Sequence, residues 1–126
     1  MYKSEIVETS IKEMTPVERV ALKDVTNCEL LDQVVNANDG SVIIEIADYV
    51  KLHVENDKSE SKEYTVFILI DKYGNRYKTG SESFERAFVD IYSELKDETG
   101  WGLKVYGKPS KNYQGKLFLT CSAVTL

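Results

Sequence analysis

Residues 81–100 read SESFERAFVDIYSELKDETG, and their reading decides the fold. Phe84, Ala87, Phe88, Ile91, Tyr92 and Leu95 recur at i, i+3, i+4, i+7, i+8 and i+11, one apolar stripe of a helix. Ser81 or Ser83 can cap its start and Gly100 can end it, which predicts a helix over about 82–97. Phe84, Phe88 and Tyr92 are then core residues.

On both sides of this helix the period changes to two. SVIIEIADYVKLHVEN (41–56) is rich in β-branched residues, and from Asp48 to Val54 it alternates strictly. Val50, Leu52 and Val54 point one way, and Tyr49, Lys51 and His53 the other. KEYTVFILID (62–71) reads as a central strand. KYGNRY then offers Gly74-Asn75 as a two-residue hairpin turn, and RYKT as the returning strand. After the helix come WGLKVYG and GKLFLTCSAV, two strands joined by the loop KPSKNYQ. Residues 1–14 read as a strand or arm. In TPVERVALKD, Thr15, Pro16 and Glu18 are placed like a helix start, but Val17, Val20, Ala21 and Leu22 also suit a strand, and the expectation is a strand over 17–24. Residues 24–41 read as loop, with a helical turn near 29–35.

One helix cannot cover both faces of an open sheet of this size, so curling is the natural way to bury it. The expected fold is mainly β: a five-stranded OB-fold-like barrel with one helix before the last hairpin, in a single domain with an N-terminal extension. An SH3-like barrel and an α+β sheet are the competing architectures.

The chain has 126 residues, a net charge of −5 and no apolar run approaching the roughly 18 residues of a membrane span. The N-terminus shows no secretory h-region. Cys28 and Cys121 lack partner spacing and read as free, buried thiols of a reducing cytoplasm. The single histidine, His53, has no triad arrangement around it. No His/Cys cluster, EF-hand loop or phosphate loop points to a metal or cofactor, and no enzyme is expected. Glu60-Ser61-Lys62 resembles part of a nuclease site but falls in a charged loop.

Charge is uneven. Residues 99–126 carry four lysines and no acid, while the rest is acidic. In 101–108, Trp101, Leu103 and Val105 suit the core, and Lys104, Tyr106 and Lys108 take the other face. Basic and aromatic side chains in one row suit single-stranded nucleic acid: rings stack on bases and ammoniums meet phosphates. Tyr49, Lys51 and His53 form a second row. The hairpin contributes Lys72, Tyr73, Arg76, Tyr77 and Lys78, and the final loop Lys108, Lys111, Tyr113 and Lys116. Tyrosine and lysine are also ordinary outer-face residues of sheets.

DGSVIIEIADYVKL, EYTVFILIDKYGNRYKTGSES, the helix, and LKVYGKPSKNYQGKLFLTCSAV follow one another in an order that resembles small phage single-stranded DNA-binding proteins, especially those of protein-primed Bacillus phages. OB-fold proteins of conjugative plasmids are a related comparison. The likeness covers about 41–124. It implies an OB fold and single-stranded DNA binding without sequence preference, in phage or mobile-element replication or transfer. The chain lacks the acidic, Gly-rich tail of bacterial chromosomal single-strand binders. The expected function is therefore single-stranded DNA binding, with replication proteins as further partners. The rival is a protein-interaction module whose acidic first half docks on a host or replication protein.

Overall fold

A computed structural model describes residues 2–58, 62–109 and 117–126. It is mainly β, with eight strands and three helices among the described residues: β1 (Tyr2–Thr9), α1 (Pro16–Lys23), β2 (Glu29–Leu30), α2 (Leu31–Ala37), β3 (Ser41–Ile44), β4 (Ile46–Asn56), β5 (Glu63–Asp71), β6 (Arg76–Thr79), α3 (Glu82–Leu95), β7 (Trp101–Pro109) and β8 (Leu117–Thr125). The strands pair in two open sheets, ordered β1-β4-β5-β6-β2 and β3-β7-β8. A closed five-stranded barrel was the expectation; these ladders do not form one. Each sheet keeps two edge strands instead.

The chain divides into two compact units, one of residues 1–30 and 47–80, the other of 31–46 and 81–126. The expected long strand 41–56 is interrupted at Glu45. Its first part, β3, pairs antiparallel with β7, and its second, β4, pairs antiparallel with β1.

In the first unit, Val50, Leu52 and Val54 of β4 and Ile68 of β5 are fully buried. Ile6, Ile11, Leu22 and Val25 pack against them from β1, α1 and the connecting segments. Full burial of such side chains stabilises by about 1.5–3 kcal/mol each. The β1–β4 register slips between Ile6 and Glu8, a bulge at Val7.

Residues 16–23 form a helix, not the expected strand. Glu18 N–H donates to Thr15 Oγ1 at 3.2 Å, and Glu18 Oε1 accepts from Thr15 N–H at 3.5 Å. This reciprocal box, with Pro16 in the first turn, starts the helix. Its apolar residues thus follow a helical period. The turn expected at Gly74-Asn75 also differs. Only Gly74 has a left-handed φ, +88°. Gly74 N–H donates to Asp71 O at 3.2 Å and Asp71 N–H to Asn75 O at 3.0 Å. That is a tight turn over 71–74 followed by a glycine bulge.

In the second unit, α3 ends at Leu95, near its expected limit. Ser81 Oγ caps it by accepting from Phe84 N–H at 3.2 Å. Phe84 and Phe88 are fully buried, their ring centroids 6.1 Å apart, and Tyr92 stacks on Phe88 at 5.4 Å. The helix packs on β8, where Ser83 Oγ donates to Leu119 O at 2.9 Å. Leu103, Val105, Leu119 and Cys121 are buried on this sheet. Phe88→Ala should lower unfolding stability by about 3–5 kcal/mol, measured by urea denaturation, because it opens a large cavity beside Phe84 and Tyr92. A loss below about 1 kcal/mol would contradict this account of the core.

Candidate nucleic-acid interface

Alternation along β7 sets the geometry. Leu103 and Val105 are fully buried, Lys104 and Lys108 exposed, and Tyr106 half-buried. Residues directly opposite in a ladder share a face. Val105 stands opposite Val42 and Cys121, on the side packed against α3. Lys104 stands opposite Ile43 and Ser122, Tyr106 opposite Ser41 and Thr120, and Lys108 opposite Phe118. The outer face therefore combines Lys104, Tyr106, Lys108 and Phe118 with the hydroxyl residues Ser41, Thr120 and Ser122. None of the three strands contains an acidic residue. Lys104 Nζ lies 5.7 Å from the Tyr106 ring centroid, a cation–π contact that holds the ammonium beside the ring.

Phe118 was not among the expected site residues. The signal was present in LFLTCSAV, where Leu119 and Cys121 alternate with Phe118, Thr120 and Ser122. The antiparallel register turns that alternation into a neighbour relation with Lys108. Trp101 is half-buried and donates its indole N–H to Glu98 O at 3.1 Å, just beyond α3. Its ring is thus tied to the helix–strand turn.

No family model, curated protein or solved structure matches this chain.

The second expected row lies in the first unit and is lined with acids. Tyr49 stacks on Phe67 with centroids 5.5 Å apart and donates its hydroxyl to Glu8 Oε1 at 2.8 Å. Glu8 stands opposite Lys51, and Glu5 opposite His53. His53 Nε2 lies 3.6 Å from Glu63 Oε1 and 3.9 Å from Glu55 Oε1. This row is charge-compensated, unlike the face around Tyr106.

The hairpin side chains divide between the two faces of their sheet. Arg76 and Lys78 stand opposite Ile70 and Ile68, on the side of the Val50–Leu52–Val54 core. Arg76 Nη2 donates to Ala21 O at 3.3 Å and Leu22 O at 3.0 Å, at the C-terminus of α1, and Lys78 Nζ donates to Val25 O at 3.4 Å. A cation there satisfies terminal carbonyls and complements the helix dipole. Tyr77 takes the other face and donates its hydroxyl to Asp71 Oδ2 at 3.1 Å. Tyr73 is 77% exposed at the turn. Lys111, Tyr113 and Lys116, in the final loop, lie outside the described residues, as do Glu60 and Ser61 of the nuclease-like triplet.

Asp71 organises this hairpin. Its Oδ1 accepts from the N–H groups of Tyr73 (2.9 Å) and Asn75 (2.8 Å), and its Oδ2 from Asn75 Nδ2 (3.1 Å) and Tyr77. Burial pushes its carboxyl up, but these hydrogen bonds outweigh burial and hold it below the usual carboxylate value. Burial, reinforced by the bond to Asp71, pushes the Tyr77 phenol up to about 12.

Two outcomes follow from this network. A folded pKa below the unfolded one stabilises the protein above the unfolded value, and that stabilisation fades as pH falls through the folded value. Asp71→Asn should therefore flatten the acid limb of the stability–pH curve and destabilise by about 1–3 kcal/mol at neutral pH. Tyr77, raised in the fold, contributes stability at pH below its unfolded value, lost as pH rises through about 12. Ultraviolet titration should show a late tyrosine that Tyr77→Phe removes; an unchanged titration would refute the assignment. Arg76→Ala should lower thermal stability by uncapping α1, with little effect on polyanion binding at low salt.

Proposed function

We propose that the outer face of the β3-β7-β8 sheet binds single-stranded DNA without sequence preference. The observation that carries this reading is the acid-free face on which Tyr106 lies between Lys104 and Lys108 and Phe118 stands opposite Lys108. Stacking accepts any base, since every base has a π-face, and the lysines supply phosphate contacts on either side. Half-burial of Tyr106 and Phe118 limits the side-chain freedom lost on stacking. The acidic remainder repels polyanions elsewhere and concentrates their approach on this sheet.

The finer fold reading, an OB-type order of strands without the closed barrel, belongs to the same proposal. From β3 onward the chain runs strand, strand, strand, helix, strand, strand in the OB order, with β3 and β4 as the two parts of one first strand. The first part pairs with the fourth strand in that order, β7, and the second neighbours the next, β5. The sequence likeness to phage and plasmid single-strand binders supports a setting in phage or mobile-element DNA replication, in a bacterial cytoplasm, with replication proteins as partners. Among the described residues no helix is long and apolar enough to cross a membrane.

Binding to an oligo-dT, followed by tryptophan and tyrosine fluorescence, tests this reading. Tyr106→Ala and Phe118→Ala should each weaken binding by about 1–3 kcal/mol. Lys104→Ala and Lys108→Ala should each flatten the salt dependence by about 0.7 in log–log slope. Lys51→Ala, beside Glu8, should change binding far less. Absence of binding at low salt would overturn the proposal, and binding indifferent to all four substitutions would remove it from this face.

A further inference from the structure

Three metal-ligating side chains meet where β4 and β5 turn into each other. His53 and Glu55 sit two residues apart on one face of β4, and Glu63 opens β5. The imidazole Nε2 lies 3.6 Å from Glu63 Oε1 and 3.9 Å from Glu55 Oε1. One ligand atom from each residue lies within 4.8 Å of the other two.

We propose that His53, Glu55 and Glu63 form a binding site for one divalent transition-metal ion of the zinc class. Zinc bonds imidazole nitrogen and carboxylate oxygen at about 2.0–2.2 Å, so donors around one ion stand roughly 3–4 Å apart. Both histidine–glutamate separations already fall in that range. Closing the third needs only rotation of two glutamate side chains.

The donor chemistry selects the ion class. One imidazole favours zinc, nickel or copper over magnesium or calcium, and two carboxylates supply the compensating charge. Two carboxylates this close repel each other, and a dication reverses the sign of that interaction. The backbone holding the donors is fixed: Asn56 N–H donates to Lys62 O at 2.8 Å across the strand ends, and β4 is laddered to β1.

Strand β1 flanks the site. Glu5 stands opposite His53, and Lys3 opposite Glu55. The donor side chains are 36%, 51% and 66% exposed, so an ion enters from solvent and water completes its coordination. This site lies in the first unit, on residues separate from the face around Tyr106, and its test does not depend on DNA binding.

Calorimetric titration of the full chain with zinc chloride at neutral pH should give one ion per chain. His53→Gln and Glu63→Gln should each weaken binding by about tenfold or more, with unchanged circular dichroism, because both positions are on the surface. Cys28→Ser should leave the isotherm intact. Absence of stoichiometric binding would overturn the proposal. So would binding that survives His53→Gln unchanged, or binding that Cys28→Ser abolishes, which would assign the ion to a thiol.

Discussion

The pleat of β7 is the constraint on which the candidate site depends. Leu103 and Val105 are fully buried, and a strand that buries alternate residues must turn the intervening ones outward. Lys104, Tyr106 and Lys108 therefore face away from the core as a consequence of packing. The ladders extend the same division to β3 and β8. A one-residue slip against β8 would bury the lysines and expose the apolar set, which the core forbids. Core and candidate interface are two sides of one register.

The first unit applies the same rule with the opposite electrostatic result. Its β4 also alternates, with Val50, Leu52 and Val54 inward and Tyr49, Lys51 and His53 outward. Here β1 lies alongside and brings Glu5 and Glu8 to that outer row, and Glu63 arrives from β5. Identical side-chain types thus work in different fields. Beside β8 the basic residues meet serine, threonine and phenylalanine; beside β1 they meet carboxylates.

Local pattern was legible in the sequence because it depends on neighbours along the chain. The helix at 82–95, the faces of β4 and the split of Trp101–Lys108 all follow from period. Partnership between distant segments was not legible. Nothing in Glu8 indicates that it will sit opposite Lys51, and nothing in Arg76 that its guanidinium will cap Ala21 and Leu22. Thr15, Pro16 and Glu18 carried the helix signal at 16–23, but its exposed valines, Val17 and Val20, imitate a strand. The single barrel failed as an expectation for a related reason. A break at one residue, Glu45, sends the two parts of a continuous β-branched run into separate ladders. Phe118 sits between readable and unreadable: its face was written in the alternation, its neighbours only in the register.

The bulge at Val7 bears on how this chain behaves in company. β1 is an eight-residue edge strand, and its outer rim of amide and carbonyl groups is a template on which another extended chain could grow. With Val7 displaced from the ladder, the rim is interrupted near its middle. A stranger aligned with Tyr2–Ile6 falls out of step from Glu8 onward. The same displacement leaves Lys3, Glu5 and Glu8 on one side, so two copies meeting edge to edge must also reconcile mixed charges. One misplaced residue works against edge-to-edge pairing of this open sheet with a second copy.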